Sequence, residues 1–184
     1  MKGLEVPFRE RVRILKDNLK FYATQKPLVD EGLMGNLREA FNSYKYEIRQ
    51  KMIEESLKLE KAIWHYNGYF GFFLKRNEIE IALVLPKSGV WVKYIHAKTE
   101  NGKEIIAALP FQFHIDIVEA IEMATGEKLK DTKGGFIKIE KKITFILYGT
   151  SQSYGKADHE KVASMLNNLL NEFGLTVKVD DFSD

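Results

Sequence analysis

Along the first third of the chain, apolar residues recur every three or four positions. Phe8, Val12, Leu15, Leu19 and Tyr22 keep this spacing after Pro7, a residue suited to a first helical turn, so residues 7–24 are predicted as an amphipathic helix. The stretch QKPLVDEGLMGN breaks it. Asn36 followed by Glu39 resembles a capping box, and Leu37, Phe41, Tyr44, Ile48, Met52, Leu59 and Ile63 carry one apolar face on to about Trp64. These two segments predict a helical hairpin. Short helices rarely hold without tertiary packing, which favours an apolar face laid on the domain that follows; the other use is a partner-binding arm, including self-association.

From residue 68 the period changes. YFGFFLK, EIEIALVLP and GVWVKYIHAK alternate or run apolar as strands do, with KRN and PKSG as turns, and KEIIAAL predicts another strand ended by Pro110. HYNGYFGFF, with its histidine and cluster of aromatics, reads as a core strand or hairpin rather than a ring-stacking ligand site. FHIDIVEAIEMATG turns helical, with Ile117, Ile121 and Ala124 on one face and Gly126 placed to stop it. KDTKGG is predicted as a turn before the strands FIKIE and KKITFILYG. A last helix is expected from about Lys156 to Phe173, burying Val162, Met165, Leu166, Leu169 and Leu170; Gly174 ends it, and LTVKV gives a final strand. The expectation is an α+β fold, a mixed β-sheet with helices packed on its faces, preceded by the helical hairpin. Residues 1–67 form the extension and 68–184 the α/β domain.

Composition narrows the classes. The 184 residues are 45% hydrophobic and 29% charged, ordinary for a globular chain, and 28 basic against 26 acidic side chains leave a net charge of +2 with the signs interspersed. Nothing in that balance calls for a nucleic-acid or membrane partner. No apolar run approaches the roughly 20 residues that span a bilayer, and MKGLEVPFRERVR is too charged for a signal peptide, so a cytoplasmic location is expected. The absence of cysteine removes disulfides and thiol catalysis together.

Two places carry candidate chemistry. In ILYGTSQSYGKADHEKV, an apolar strand empties through Gly149 and Gly155 into a helix, an arrangement that aims backbone N–H groups at an anion. It is no Walker A loop, because five residues separate the glycines and GK is followed by Ala157. A small-oxyanion nest around Ser151 to Gly155 and a ligand-free glycine turn both fit. The second place is among His65, His96, His114 and His159, of which no pair has metal-ligand spacing. Neither a metal nor a cofactor is expected. His114 falls where an extended segment gives way to a helix, whose positive end disfavours the imidazolium and leaves a neutral ring, as a general base requires. A helix cap or packing residue is the other reading of His114.

YGTSQSYGKADH resembles the signature loop of the Janus family, whose best known members are small protein phosphohistidine phosphatases. Tyr148, Gly149, Ser151, Tyr154, Gly155, Ala157 and His159 all fit that pattern. FHIDI, Phe113 to Ile117, is similar to the segment holding the family's catalytic histidine, and KGGFIKIE and GVWVKY fall in the family order; the likeness covers about residues 88–184. The resemblance implies metal-independent hydrolysis of a phosphoramidate, phosphohistidine or phospholysine, carried by a phosphorylated protein or a small molecule. His114 would then act as base or phosphoryl acceptor, and backbone N–H groups of Ile115, Ser151, Gln152 and Ser153 would hold phosphoryl oxygens. Lys93 would add positive charge, and His159 would orient the loop. Two positions depart from the pattern: Phe136 stands where the family usually has a phosphate-binding arginine, and Lys93 takes the place of the basic residue at the start of the first family strand only with one residue inserted. Lys138 shares a face with Phe136 in an extended strand, and Lys133 precedes the glycines; each is either a substitute cation or a solvated surface lysine. A non-catalytic phosphate-binding or protein-interaction module of the same fold is therefore the alternative.

Overall fold

The computed structural model describes residues 45–141 and 143–180. The chain divides into two compact units between Leu59 and Glu60. In the first, helix α1 covers residues 45–57, with Ile48, Met52, Ile53 and Leu57 buried along one side at helical spacing. The helix predicted over 7–24 and the turn of the hairpin lie outside the described residues. The second predicted helix is overextended: it stops at residue 57, and Ile63 and Trp64 belong to a strand. KAIWHY alternates exposed and buried along its length, a period of two that the longer helical pattern had masked. That strand extends the sheet unit back to residue 60, ahead of the expected boundary at 67/68.

The second unit runs β1 (Lys61–Tyr66), β2 (Tyr69–Lys75), β3 (Ile79–Pro86), β4 (Val92–Thr99), β5 (Glu104–Ala108), α2 (His114–Thr125), β6 (Leu129–Glu140), β7 (Thr144–Tyr148), α3 (His159–Leu170), a 3-10 turn Asn171–Phe173, and β8 (Thr176–Val179). The eight strands form one mixed sheet in the order β1-β2-β3-β5-β4-β6-β7-β8, parallel at β3–β5 and β7–β8 and antiparallel elsewhere. HYNGYFGFF is indeed a hairpin. Asn67 and Gly68 take φ of 49° and 79°, the left-handed pair that joins two right-twisted strands in two residues.

Alternation along the strands gives the sheet two apolar faces. On one, Phe72, Leu83, Tyr94, Ile106, Ile137, Phe145 and Leu147 meet Val162, Leu166 and Leu170 of α3 in the main core. Each such aliphatic side chain contributes about 1.5–3 kcal/mol by leaving water. On the opposite face α2 packs on β4, β5 and β6 and buries Ile117, Val118 and Ile121. Gly126 and Gly174, at φ of 72° and 71°, end α2 and the 3-10 turn as predicted.

Two predicted boundaries move. KDTKGG is part of the twelve-residue β6 and no turn. Its turn-like composition is absorbed by an irregularity against β4: the register jumps between His96 and Lys98, and Asp131, at φ 53°, occupies the extra position. The last helix begins at His159, three residues beyond Lys156. Lys156 bridges to Gly134, Ala157 N–H donates to the Gly134 carbonyl (3.0 Å), and Asp158 then caps the helix by accepting from Lys161 N–H (3.1 Å). Among the described residues no helix is long and apolar enough to cross a membrane.

Candidate functional site

The site is organised by two neighbouring strands. In the antiparallel pair of β4 and β6, Lys93 stands opposite Phe136, Tyr94 opposite Gly135 and Ile95 opposite Gly134. Successive residues point to opposite faces, so Lys93 and Phe136 lie on the α2 side and Tyr94 on the α3 side. The two glycines leave both faces bare at one point. A Cβ on Gly134 would stand 2.8 Å from His114 Cδ2 and 2.9 Å from Ser151 Cβ; one on Gly135 would stand 2.6 Å from His159 Cε1 and 2.9 Å from Tyr94 Cε1. Two histidines thus approach the same strand from opposite sides, through the space that side chains would fill.

His114 is the first residue of α2. Phe113 N–H donates to Asp116 Oδ2 (3.1 Å), half of a capping box, and fixes the start of the helix. His114 is buried, and its Nε2 lies 2.9 Å from the Gly135 carbonyl oxygen. A carbonyl only accepts, so Nε2 carries the hydrogen and the neutral ring keeps its lone pair on Nδ1. Burial pushes this imidazole below its usual value, and the Lys93 charge pushes the same way; the carbonyl bond opposes them without prevailing. The neutral form expected of a helix-start histidine is therefore the one the site favours. Lys93 donates its ammonium to the Gln112 carbonyl and lies 5.2 Å from the centre of the Phe113 ring, beside the start of α2.

The loop between β7 and α3 closes over the same ground. Ser151 is buried; its Oγ accepts from Tyr154 N–H (3.1 Å) and its carbonyl from Gly155 N–H (2.9 Å). These bonds fold Ser151 to Gly155 into a tight turn with Gln152 and Ser153 exposed at its tip. Ile115 N–H, in the first turn of α2, is among the donors that an α-helix leaves without an internal acceptor. His114 and the loop are neighbours, since both reach within about 3 Å of the same bare face of Gly134.

His159 holds the loop from the other side of the sheet. Its Nε2 lies 2.7 Å from the Gly149 carbonyl, and its Nδ1 is bonded to the Tyr94 hydroxyl. Burial lowers its basicity, the foremost of several influences, and burial keeps Tyr94 a phenol. Tyr94, 65 residues away in sequence, had no local signal that could have paired it with His159.

Phe136 stands inside the site. Its ring meets the His114 ring edge-on at 5.8 Å and lies against Gly149, where a Cβ would come within 2.7 Å of Phe136 Cδ2. Lys138, two residues along the same face, places its ammonium 4.6 Å from the centre of the Trp91 ring, which in turn packs at 5.3 Å on Tyr148. Lys133 reaches toward Gly155, 3.5 Å from where a Cβ there would stand. The remaining histidines lie elsewhere: His65 packs on Phe70 at 5.1 Å, and His96 bonds Glu104 at 2.5 Å.

Fold and site together define a mixed-sheet α+β domain in which a neutral histidine at a helix start faces a glycine-bounded loop. Residues 87–174 match the model of the Janus/Ocnus family. The match spans β4 to the 3-10 turn and includes every site residue above. No curated protein matches the chain.

Proposed function

We propose that this domain hydrolyses a phosphoramidate, the phosphorus–nitrogen bond of phosphohistidine or phospholysine, in a phosphorylated protein or a small molecule. The observation that carries the reading is the convergence of His114 and the Ser151–Gly155 loop on one bare glycine face, with Lys93 beside them. In this reading the phosphoryl oxygens rest on N–H groups of Ile115, Ser151, Gln152 and Ser153, with Lys93 and Lys138 supplying positive field. The oxygen of a water forms its bond to phosphorus as the P–N bond breaks. Nδ1 of His114 takes the water proton, and the departing nitrogen leaves with the bonding pair and is protonated from solvent. Transient transfer of the phosphoryl group to Nδ1 is the covalent variant of the same geometry.

Phe136 favours a second reading, a module that holds a phosphoryl ligand without turning it over. Its ring, centred 5.8 Å from the centre of the His114 ring, puts apolar carbon where a guanidinium would grip phosphate in two places. The two readings separate in one experiment: phosphate release from a phosphohistidine peptide and from phosphoramidate, without added metal, by wild type and His114→Ala. Release by the wild type alone supports the hydrolase. A folded wild type that binds phosphate and releases none supports the module.

A further inference from the structure

The loop is fastened at one end to strand β6 and at the other to the first residue of α3. At its far end, Gly134 N–H donates to the Gly155 carbonyl and Ala157 N–H to the Gly134 carbonyl, both at 3.0 Å. At its near end, next to Tyr148 in the β6–β7 pair, the Gly149 carbonyl is held by a 2.7 Å bond from His159. That bond fixes the tautomer of His159, because the carbonyl must receive a hydrogen and Nε2 must carry it. Nδ1 is then a buried acceptor that needs a donor, and Tyr94, wholly buried in the core, supplies it. Tyr94 is also the chain neighbour of Lys93, so one dipeptide of β4 serves both faces of the sheet.

We propose that Tyr94 is a positioning residue for the phosphate loop: by donating to His159 Nδ1 it holds the ring in the tautomer that anchors Gly149, and so sets where the loop N–H groups stand above His114. The inference rests on the reading of this loop as the phosphoryl site. Without the phenol, the buried Nδ1 has no donor, and an unsatisfied buried acceptor is relieved by protonation or by a turn of the ring. A ring turn takes the hydrogen away from Gly149. The charged and titratable groups facing His159 are Tyr94 from β4 and Lys156, Asp158 and Glu160 from its own segment, while β6 presents only bare Gly135.

Tyr94→Phe in the full chain tests this by three measurements. Nitrogen-15 spectra of the imidazoles are expected to show His159 as the Nε2–H tautomer in wild type and to show it titrating at higher pH in the variant. Exchange of the Tyr154 and Gly155 amides, both bonded inside the loop, is expected to quicken about tenfold while amides of β2 and β3 keep their protection. Inorganic phosphate is expected to bind about tenfold more weakly. Unchanged His159 titration with unchanged loop exchange overturns the proposal, and so does protection lost equally throughout the sheet. If wild type does not bind phosphate, the phosphoryl reading of the loop fails, while the first two measurements still decide the role of Tyr94. Should Tyr94→Phe not fold, His159→Gln keeps one donor for Gly149 and one acceptor for Tyr94, whereas His159→Leu keeps neither. Loop exchange near wild type in Gln and released in Leu supports the link, and equal behaviour of the two sinks it.

Discussion

Gly135→Ala puts the close packing of the site to a quantitative test. The added Cβ would stand 2.6 Å from His159 Cε1, 2.7 Å from the Tyr148 carbonyl oxygen and 2.9 Å from Tyr94 Cε1. None of the three yields easily: the oxygen is main chain within the β6–β7 pair, and the two rings are bonded to each other in the core. Overpacking of this kind costs about 1–3 kcal/mol. Alanine also restricts the unfolded chain relative to glycine, which returns ~0.4–1 kcal/mol where the native backbone accepts it, as this extended strand does. The net expectation is a loss of about 1–2 kcal/mol, or roughly 4 °C in Tm per kcal/mol for a unit of this size. Urea denaturation with unchanged slope and a lowered midpoint is the expected result. A midpoint equal to that of wild type would refute the claim that the strand must be bare there, and with it the account of how His159 reaches Gly149.

Three further expectations follow from the same structure. Phe136→Arg should strengthen inorganic phosphate binding by about tenfold or more, since a charge-assisted bond contributes about 1.5–3 kcal/mol, and titration calorimetry would expose the error if affinity were unchanged. The free protein should lose stability in the exchange, because the new cation directly faces Lys93 across the strand pair. Asn167→Ala removes the side chain that donates to the Val177 carbonyl (2.9 Å) and accepts from its N–H (2.8 Å), and should cost about 1–3 kcal/mol by urea denaturation; a neutral result would mean that β8 is held without it. For pH, His114 and His159 both have native basicity lowered from the ordinary 6.5, so below that value the unfolded chain takes up protons that the folded one refuses. Stability should therefore fall as pH drops through about 6.5, and a Tm at pH 5.5 equal to or above that at pH 7.5 would contradict the sign.

Much of this domain could be read from the chain because its signals are local. The β2, β3, β4 and β7 strands follow from apolar runs bounded by turn residues, and α2 from its period and Gly126. His114 and the loop were found by motif, each contained in a dozen residues or fewer. The misses share a different cause. KDTKGG has a turn's composition, yet pairing with β4 draws it into a strand and confines the irregularity to Asp131. Trp64 fits a helical stripe and a strand alternation equally well, and only β2 decides between them. Lys156 and Ala157 belong to a helix by propensity, but bonds to Gly134 keep them extended. Tyr94 has no short-range mark at all, because its partner is brought to it by the sheet.

The fastening of the loop at Gly149 and at Gly155 bears on how a ligand would register calorimetrically. A flexible loop that orders around an anion gives up conformational freedom at the moment of binding, and the heat and entropy of binding then grow together with opposite effect. Here seven residues are already pinned, at one end by strand β6 and at the other by the first residue of α3. Capture of a phosphoryl group should therefore proceed with a small heat-capacity change, the signature of a preformed socket rather than a closing lid.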